Sequence, residues 1–540
     1  MRRDVLRCKE LVERSRQRTV SLPTMDSSYG GSTNKRGPAS ALEKSWAMED
    51  RKHLDALIAR SFYSGGISFN FARNPYFQQA ISFAYNRNLA GYKMPGYNKL
   101  RTSLLKQERG HIEMLLQSSK STWQEKGVTI CADGWSDPQR RPLINFVAVS
   151  EKAPMFLRAD NCEGQVKTKE YIAEKLKSVI EEVGRQNVVQ IITDNAANCK
   201  VVCMLKRMVE VKMPLKQMVI SEAWDIYKDD AQTAALIHDK VLSEVWWRNV
   251  EYILKITTPI YEMIRVADTN TPCLHLIYEM WDSMIEKVKK EIYQWEGKQP
   301  DEESNLYLVI HKILVDRWTK GNNPLHCIAH SLNPRYYSQE WLHGGVGRVP
   351  PHKNKEVSKM RMTCFKKYFR IPTELSQVKE EYARFSSCSE EFNDPDSLHD
   401  RWFVSPMTWW TNHGQSVPLL MNLAIKLVSQ PASSSCCERN WSTYSFIHSV
   451  KRNALTPERA EDLVYVHSNL RHLSKRTDDY KKGESRMWDV GGDSFESLSG
   501  LGILEVANLS LDEPELQAVS FGDVEADIWE NEDEANPEQT

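Results

Sequence analysis

The 540-residue chain has no stretch approaching the ~18 to 20 consecutive apolar residues of a membrane-spanning helix, which excludes an integral membrane protein. Its N-terminus, MRRDVLRCKELVERSRQRTV, lacks the apolar run of about 7 to 15 residues that defines a secretory signal, which argues against secretion. There is no Cys-x-x-Cys pair, and the eleven cysteines are scattered and odd in number; this argues against a disulfide framework and for free thiols in a reducing compartment. No clear internal repeat is found. Basic residues are missing from one end: residues 491–540 hold 14 Asp or Glu and no Lys or Arg.

That last absence hides a charge asymmetry. The whole chain carries 71 basic and 72 acidic residues, for a net charge of -1, so residues 1–490 keep 71 basic against 72 − 14 = 58 acidic, a net of +13. A basic body with an acidic tail suits a polyanion partner, with the tail competing for or screening the same surface. It is equally the ordinary look of a solvated acidic end.

The pattern divides the chain into six parts. Residues 1–45 contain the run Asp26-Ser-Ser-Tyr-Gly-Gly-Ser-Thr-Asn-Lys-Arg-Gly-Pro38, whose low apolar content predicts a disordered leader. Residues 46–126 read as a helical lead-in, with Leu54, Leu57, Ile58 and Phe62 at helical spacing. In residues 127–200, short apolar runs at 127–135, 143–149 and 155–160 predict an antiparallel meander. Tyr171, Ile172, Leu176, Val179, Ile180 and Val183 then predict an amphipathic helix stopped by Gly184. Val188-Val-Gln-Ile-Ile192 follows and reads as a parallel strand buried on both faces. Residues 201–400 lose the β signal and become Trp- and Met-rich helices. Residues 401–475 hold further helices, one opened by Thr456-Pro457, and 476–540 form the acidic tail.

Two carboxylates stand out in this order. Asp133 ends the first strand and Asp194 the fourth. If the fourth strand lies parallel beside the first, both emerge at one sheet edge, the layout of an RNase H-like fold. Such carboxylates hold two Mg²⁺ ions about 3.5–4 Å apart for phosphodiester chemistry. Each has an ordinary alternative: Asp133-Gly134 as a turn, and Asp194-Asn195 as a helix N-cap.

The segments Cys131-Ala-Asp-Gly-Trp-Ser-Asp137 and Ile191-Ile-Thr-Asp-Asn-Ala-Ala-Asn198 resemble the core of plant hAT-superfamily transposase-like proteins. The segments Gln430-Pro-Ala-Ser-Ser-Ser-Cys-Cys-Glu-Arg-Asn-Trp-Ser442 and Asn453-Ala-Leu-Thr-Pro-Glu-Arg-Ala-Glu-Asp-Leu-Val-Tyr-Val-His467 resemble the hAT C-terminal dimerisation region. The resemblance implies an RNase H-like mixed α/β sheet interrupted by a large all-α insertion, with a helical C-terminal dimerisation region. It also implies an Asp133, Asp194, Glu438 metal site. Glu438 has its own alternative, because Ser435-x-x-Glu438 fits a capping box.

The chain departs from that family twice. No zinc finger of the BED type is found in residues 1–120. Near residue 200, Cys199-Lys200 runs straight into Val201, where relatives place a Cys-x-x-His segment and further core, so a deletion or a skipped exon is expected there. His326-Cys327-Ile-Ala-His330 has Cys-x-x-His spacing, but two or three ligands in a helical region read better as core than as a zinc site.

Leu419, Leu420, Leu423 and Leu427, with Trp441, Tyr444, Leu463, Val464 and Leu470, supply apolar surface for a dimer interface or for packing on the helical insertion. The expectation is a transposase-derived nuclear protein that dimerises, associates with DNA and has lost catalysis. The alternative is an active Asp-Asp-Glu transposase using two Mg²⁺ ions. Neither a membrane nor a small-molecule substrate is implied as a partner.

Overall fold

The structure, a computed structural model, describes residues 41–482 apart from 194–204, 225–230, 448–454 and a few shorter stretches. The expected leader (apart from its last residues), the junction near residue 200 and most of the acidic tail lie outside the described residues. The chain forms two compact units, Met1–Phe69 and Asn70–Thr540. The first contributes helix α1 (Ala41–Gly65), and everything below concerns the second.

Helices α2 (Pro75–Asn86) and α3 (Leu105–Lys120) lead into the sheet. The meander is present as β1 (Val128–Ser136), β2 (Pro142–Ser150) and β3 (Ala153–Asn161). Helix α4 (Lys169–Val183) follows, its first turn capped by the Thr168 hydroxyl and its end marked by Gly184 at φ 91°. Strand β4 (Val188–Thr193) returns parallel to β1, giving the order β3-β2-β1-β4. Chain entry into β1 depends on Gly127. At φ 71° it has a backbone that side chains rarely adopt, and a Cβ there would sit 2.3 Å from the Val189 side chain.

The expectation that β4 is buried on both faces is not met. Gln190 is buried, but Ile191 is 38% exposed and Ile192 only half-buried. The reason is position. Among the described residues no strand pairs with its outer side, so β4 is an edge strand although its composition is that of an interior one.

Among the described residues, no strand follows β4. The helices used below are α5 (Glu244–Ala267), α6 (Ile277–Glu296), α7 (Asn305–Gly321), α8 (Pro324–Ser331), α9 (Lys355–Tyr368), α10 (Pro372–Ser386), α11 (Pro395–Phe403), α12 (Pro406–His413), α13 (Pro418–Val428), α14 (Ser435–Ile447) and α15 (Pro457–Lys475). Thr456 caps α15 and Pro457 is its first residue, as the sequence indicates. None of the described helices is long and apolar enough to cross a membrane.

Strand alternation sends successive side chains to opposite faces of the sheet. On one face lie Ile130, Ala132, Phe146 and Arg158, beneath α4; Arg158 pairs with Glu182 at 2.7 Å, and Lys175 pairs with Asp160 at 2.9 Å. The other face is covered by α14 and α15, which are distant in sequence, together with α3. Ile112, Val147, Phe156, Trp441, Tyr444 and Val464 are buried in one common core. A second core joins α8 to α13 around Phe385, Trp409 and Trp410. Cys327 and His330 of α8 are buried, and His330 stacks on Tyr336 at 4.1 Å, which is the core reading of that segment.

Candidate functional site

The covered sheet face is where Asp133 sits. Thr129, Cys131, Asp133 and Trp135 alternate onto it from β1, with Asn145 opposite Asp133 on β2. Each meets the stretch from Gln430 to Tyr444. Thr129 donates to Gln430 Oε1 at 2.8 Å, and Cys131 donates to the Ser433 carbonyl at 3.6 Å. The Asn145 amide donates to the Cys437 carbonyl at 3.3 Å. The Trp441 indole N–H donates to Asp133 Oδ2 at 2.7 Å, and the Trp135 and Trp441 rings stack at 5.0 Å. The carboxylate is only 9% exposed.

The first turn of α14 is fastened from its other side. Ser433 donates to Asp268 Oδ1 at 2.8 Å, while Ser435 donates to the Asp268 carbonyl at 2.7 Å and accepts from Arg439 at 3.0 Å. Asp268 follows the last turn of α5, where an orphaned carbonyl is expected, so these donors complete that helix end. Burial raises the Asp268 carboxyl above its ordinary value, with the Ser433 hydrogen bond and Arg439 opposing. Ser435 therefore spends its hydroxyl on α5, and Ser433 accepts from the Ser435 N–H at 3.1 Å. Glu438 lies exposed in the first turn.

Three thiols lie beside Asp133. Cys131 meets Cys436 and Cys437, the three hydrogen-bonding one another. Burial pushes Cys437 well above the usual thiol value, while the hydrogen bonds from Cys131 and Cys437 hold Cys436 well below it.

Asp133 is thus placed in the expected strand, and β4 in the expected parallel position. The described β1–β4 register ends with Ala132 opposite Thr193, one residue before Asp133. Asp194 lies outside the described residues. No three His, Cys, Asp or Glu side chains among the described residues come together as a metal-holding group. Asp133 and Glu438 differ sharply in environment, one buried and the other exposed.

The nine apolar residues expected at a dimer interface are committed to the chain's own packing. Leu420, Leu423 and Leu427 lie in the second core, and Trp441, Tyr444 and Val464 in the first, with Leu419, Leu463 and Leu470 half-buried against them. Gln430, fully buried at the junction of the sheet and both cores, carries no local signal in the sequence for its bonds to Thr129 and Lys126, which lie some 300 residues away. The Asp133–Trp441 bond was equally hidden, although Glu438 and Trp441 are spaced i, i+3 and so lie near one another on α14.

Replacing Trp441 with Phe keeps much of the ring stack but deletes the indole donor to Asp133. The expected cost is about 1–3 kcal/mol, read from chemical denaturation of the full chain. An unchanged midpoint would show that the indole–carboxylate bond contributes nothing.

Comparison with known families adds two regions. Residues 95–217 match the family model described as a domain of unknown function (DUF659). Residues 388–470 match the model of the hAT family C-terminal dimerisation region. No curated protein matches the chain. The first region contains all four strands and the second contains α14 and most of α15, so the two matched regions share the first core.

Proposed function

We propose that this is a hAT transposase-derived nuclear protein, with an RNase H-like sheet, that associates with itself and with DNA and no longer cuts DNA. The two family regions support the derivation, and β4 lying parallel beside β1 suits the RNase H-like reading. One observation carries the loss of catalysis: Asp133 is buried under the Trp135–Trp441 stack, with Oδ2 already accepting the Trp441 indole N–H. Mg²⁺ needs charged oxygens that it can share with several waters. Among the described residues, Asp133 is buried and accepts the Trp441 indole N–H while Glu438 is exposed, so this pair does not fit a Mg²⁺ donor set.

Self-association rests on the C-terminal match. A side chain packed in the monomer core is not also a contact surface, so association uses what the same region leaves exposed, such as Phe403 at 64% exposure. Light scattering on the full chain tests it. The expected mass is twice the 62.4 kDa of one chain, and a single-chain mass at every concentration would refute the dimer.

A further inference from the structure

Helix α9 lies outside both matched regions and carries a row of cations. Between Arg348 and Ile371 the chain has eight Lys or Arg and one acidic residue, Glu356. Lys353, Lys355, Lys359, Lys366, Lys367 and Arg370 are exposed, and among the described residues none of them pairs with a carboxylate. Glu356 is turned away, accepting from Asn322 at 2.9 Å and from the Tyr278 hydroxyl at 3.3 Å.

The spacing makes this a row rather than a scatter. Lys355, Lys359 and Lys366 fall at i, i+4 and i+11, all on one face, opposite the buried Val357, Cys364 and Phe365. At 1.5 Å per residue, the three span about 16 Å of straight helix, and Arg370 continues the line past the last turn. Locally the row is unfavourable. Lys355 and Lys359 repel at i, i+4, and Lys355 stands at the positive end of the helix dipole. A polyanion laid along the face relieves both.

We propose that this face of α9 binds the phosphate backbone of duplex DNA. The inference rests on the DNA-associated reading above and gives it a location. Duplex DNA presents a phosphate every 3.4 Å along each strand, so about five lie alongside a 16 Å row. A membrane surface is a poorer match, because the apolar side of α9 is buried in the protein and cannot enter lipid.

The test is fluorescence anisotropy of the full chain with a labelled duplex of about 30 base pairs, titrated between 50 and 200 mM salt. The K355Q/K359Q/K366Q/R370Q variant is expected to melt like wild type, since all four side chains are exposed. Its slope of log affinity against log salt should be shallower by about 3 to 4, with about 0.9 lost for each phosphate contact. A K169Q/K177Q/R185Q control, with two substitutions on α4 and one just beyond its end, should leave the slope unchanged. If wild type binds and the α9 variant keeps its slope, the location is wrong while DNA association stands. If wild type does not bind DNA even at 50 mM salt, DNA association itself fails, and this proposal with it. If the variant keeps its DNA slope but loses binding to a synthetic peptide of residues 491–540, the face belongs to the chain's own acidic tail and the proposal is overturned.

Discussion

Acidification from pH 7 to pH 5 is expected to destabilise this protein by several kcal/mol. His275, His330 and His472 are each at least nine-tenths buried. Burial pushes His275 down to about 4 and His472 to about 4, and burial together with neighbouring His275 pushes His330 to about 3. In the unfolded chain each titrates near the ordinary 6.5, so between 6.5 and the folded values the unfolded state binds more protons. The stability these groups permit is complete above pH 6.5 and is lost as the pH falls toward 4. A shift of this size costs about 2 kcal/mol per histidine at pH 5. Carboxyls raised by partial desolvation, such as half-buried Glu279, act with the opposite sign and offset the loss at the lower end of the window. Urea unfolding midpoints at half-unit steps from pH 8 to pH 5 should be level above about 7 and fall steeply below 6.5. A flat profile would mean that the three imidazoles are charged or exposed in the folded protein.

Gln430→Ala should cost roughly 3–5 kcal/mol, because the side chain satisfies three buried groups at once. Its Oε1 accepts from Thr129 at 2.8 Å, while Nε2 donates to the Lys126 carbonyl at 2.8 Å and to the Lys426 carbonyl at 2.7 Å. The Gln430 carbonyl accepts from the Cys273 and Leu274 N–H groups, at 3.1 Å each, so the same residue ties the sheet to the helical region. Next to it, Gln190 of β4 donates to Thr129 at 3.0 Å and to the Pro431 carbonyl at 2.8 Å. The truncation orphans the Lys126 and Lys426 carbonyls and removes the acceptor of Thr129. Chemical denaturation of the variant reads the cost, and hydrogen exchange should show β1, β4 and α14 loosening together. A loss below about 1 kcal/mol would show that water replaces the side chain without penalty.

These two sites mark where the sequence stopped being legible. Strand alternation around Leu143–Val149, the Thr168 and Thr456 caps and the Gly184 stop are local signals, and the corresponding elements form where those residues predict. The apolar stripe of Leu420, Leu423 and Leu427 was equally visible, but helical periodicity says that a face is covered, not by what. Here the cover is the chain itself. Val188–Ile192 misled for a related reason: an apolar run records the burial a strand is suited to, while its place in the sheet decides the burial it receives. Asp133 was legible as an acid on β1 but not as its end, since the strand runs on to Ser136 with Asp133 paired inside it opposite Asn145, and its indole partner, 308 residues further on, belongs to tertiary structure alone. The histidines at 275 and 330 show no pattern, because their state depends on tertiary burial, which for His330 comes with the Tyr278 and Tyr336 rings.

The most direct test of the account is plasmid nicking by the full-length protein in Mg²⁺, comparing wild type with Asp133→Asn. With Asp133 engaged by Trp441 beneath the C-terminal helices, the account predicts no nicking by wild type above the level of the variant. Mg²⁺-dependent nicking by wild type that Asp133→Asn abolishes would contradict it and make the buried carboxylate a working metal ligand.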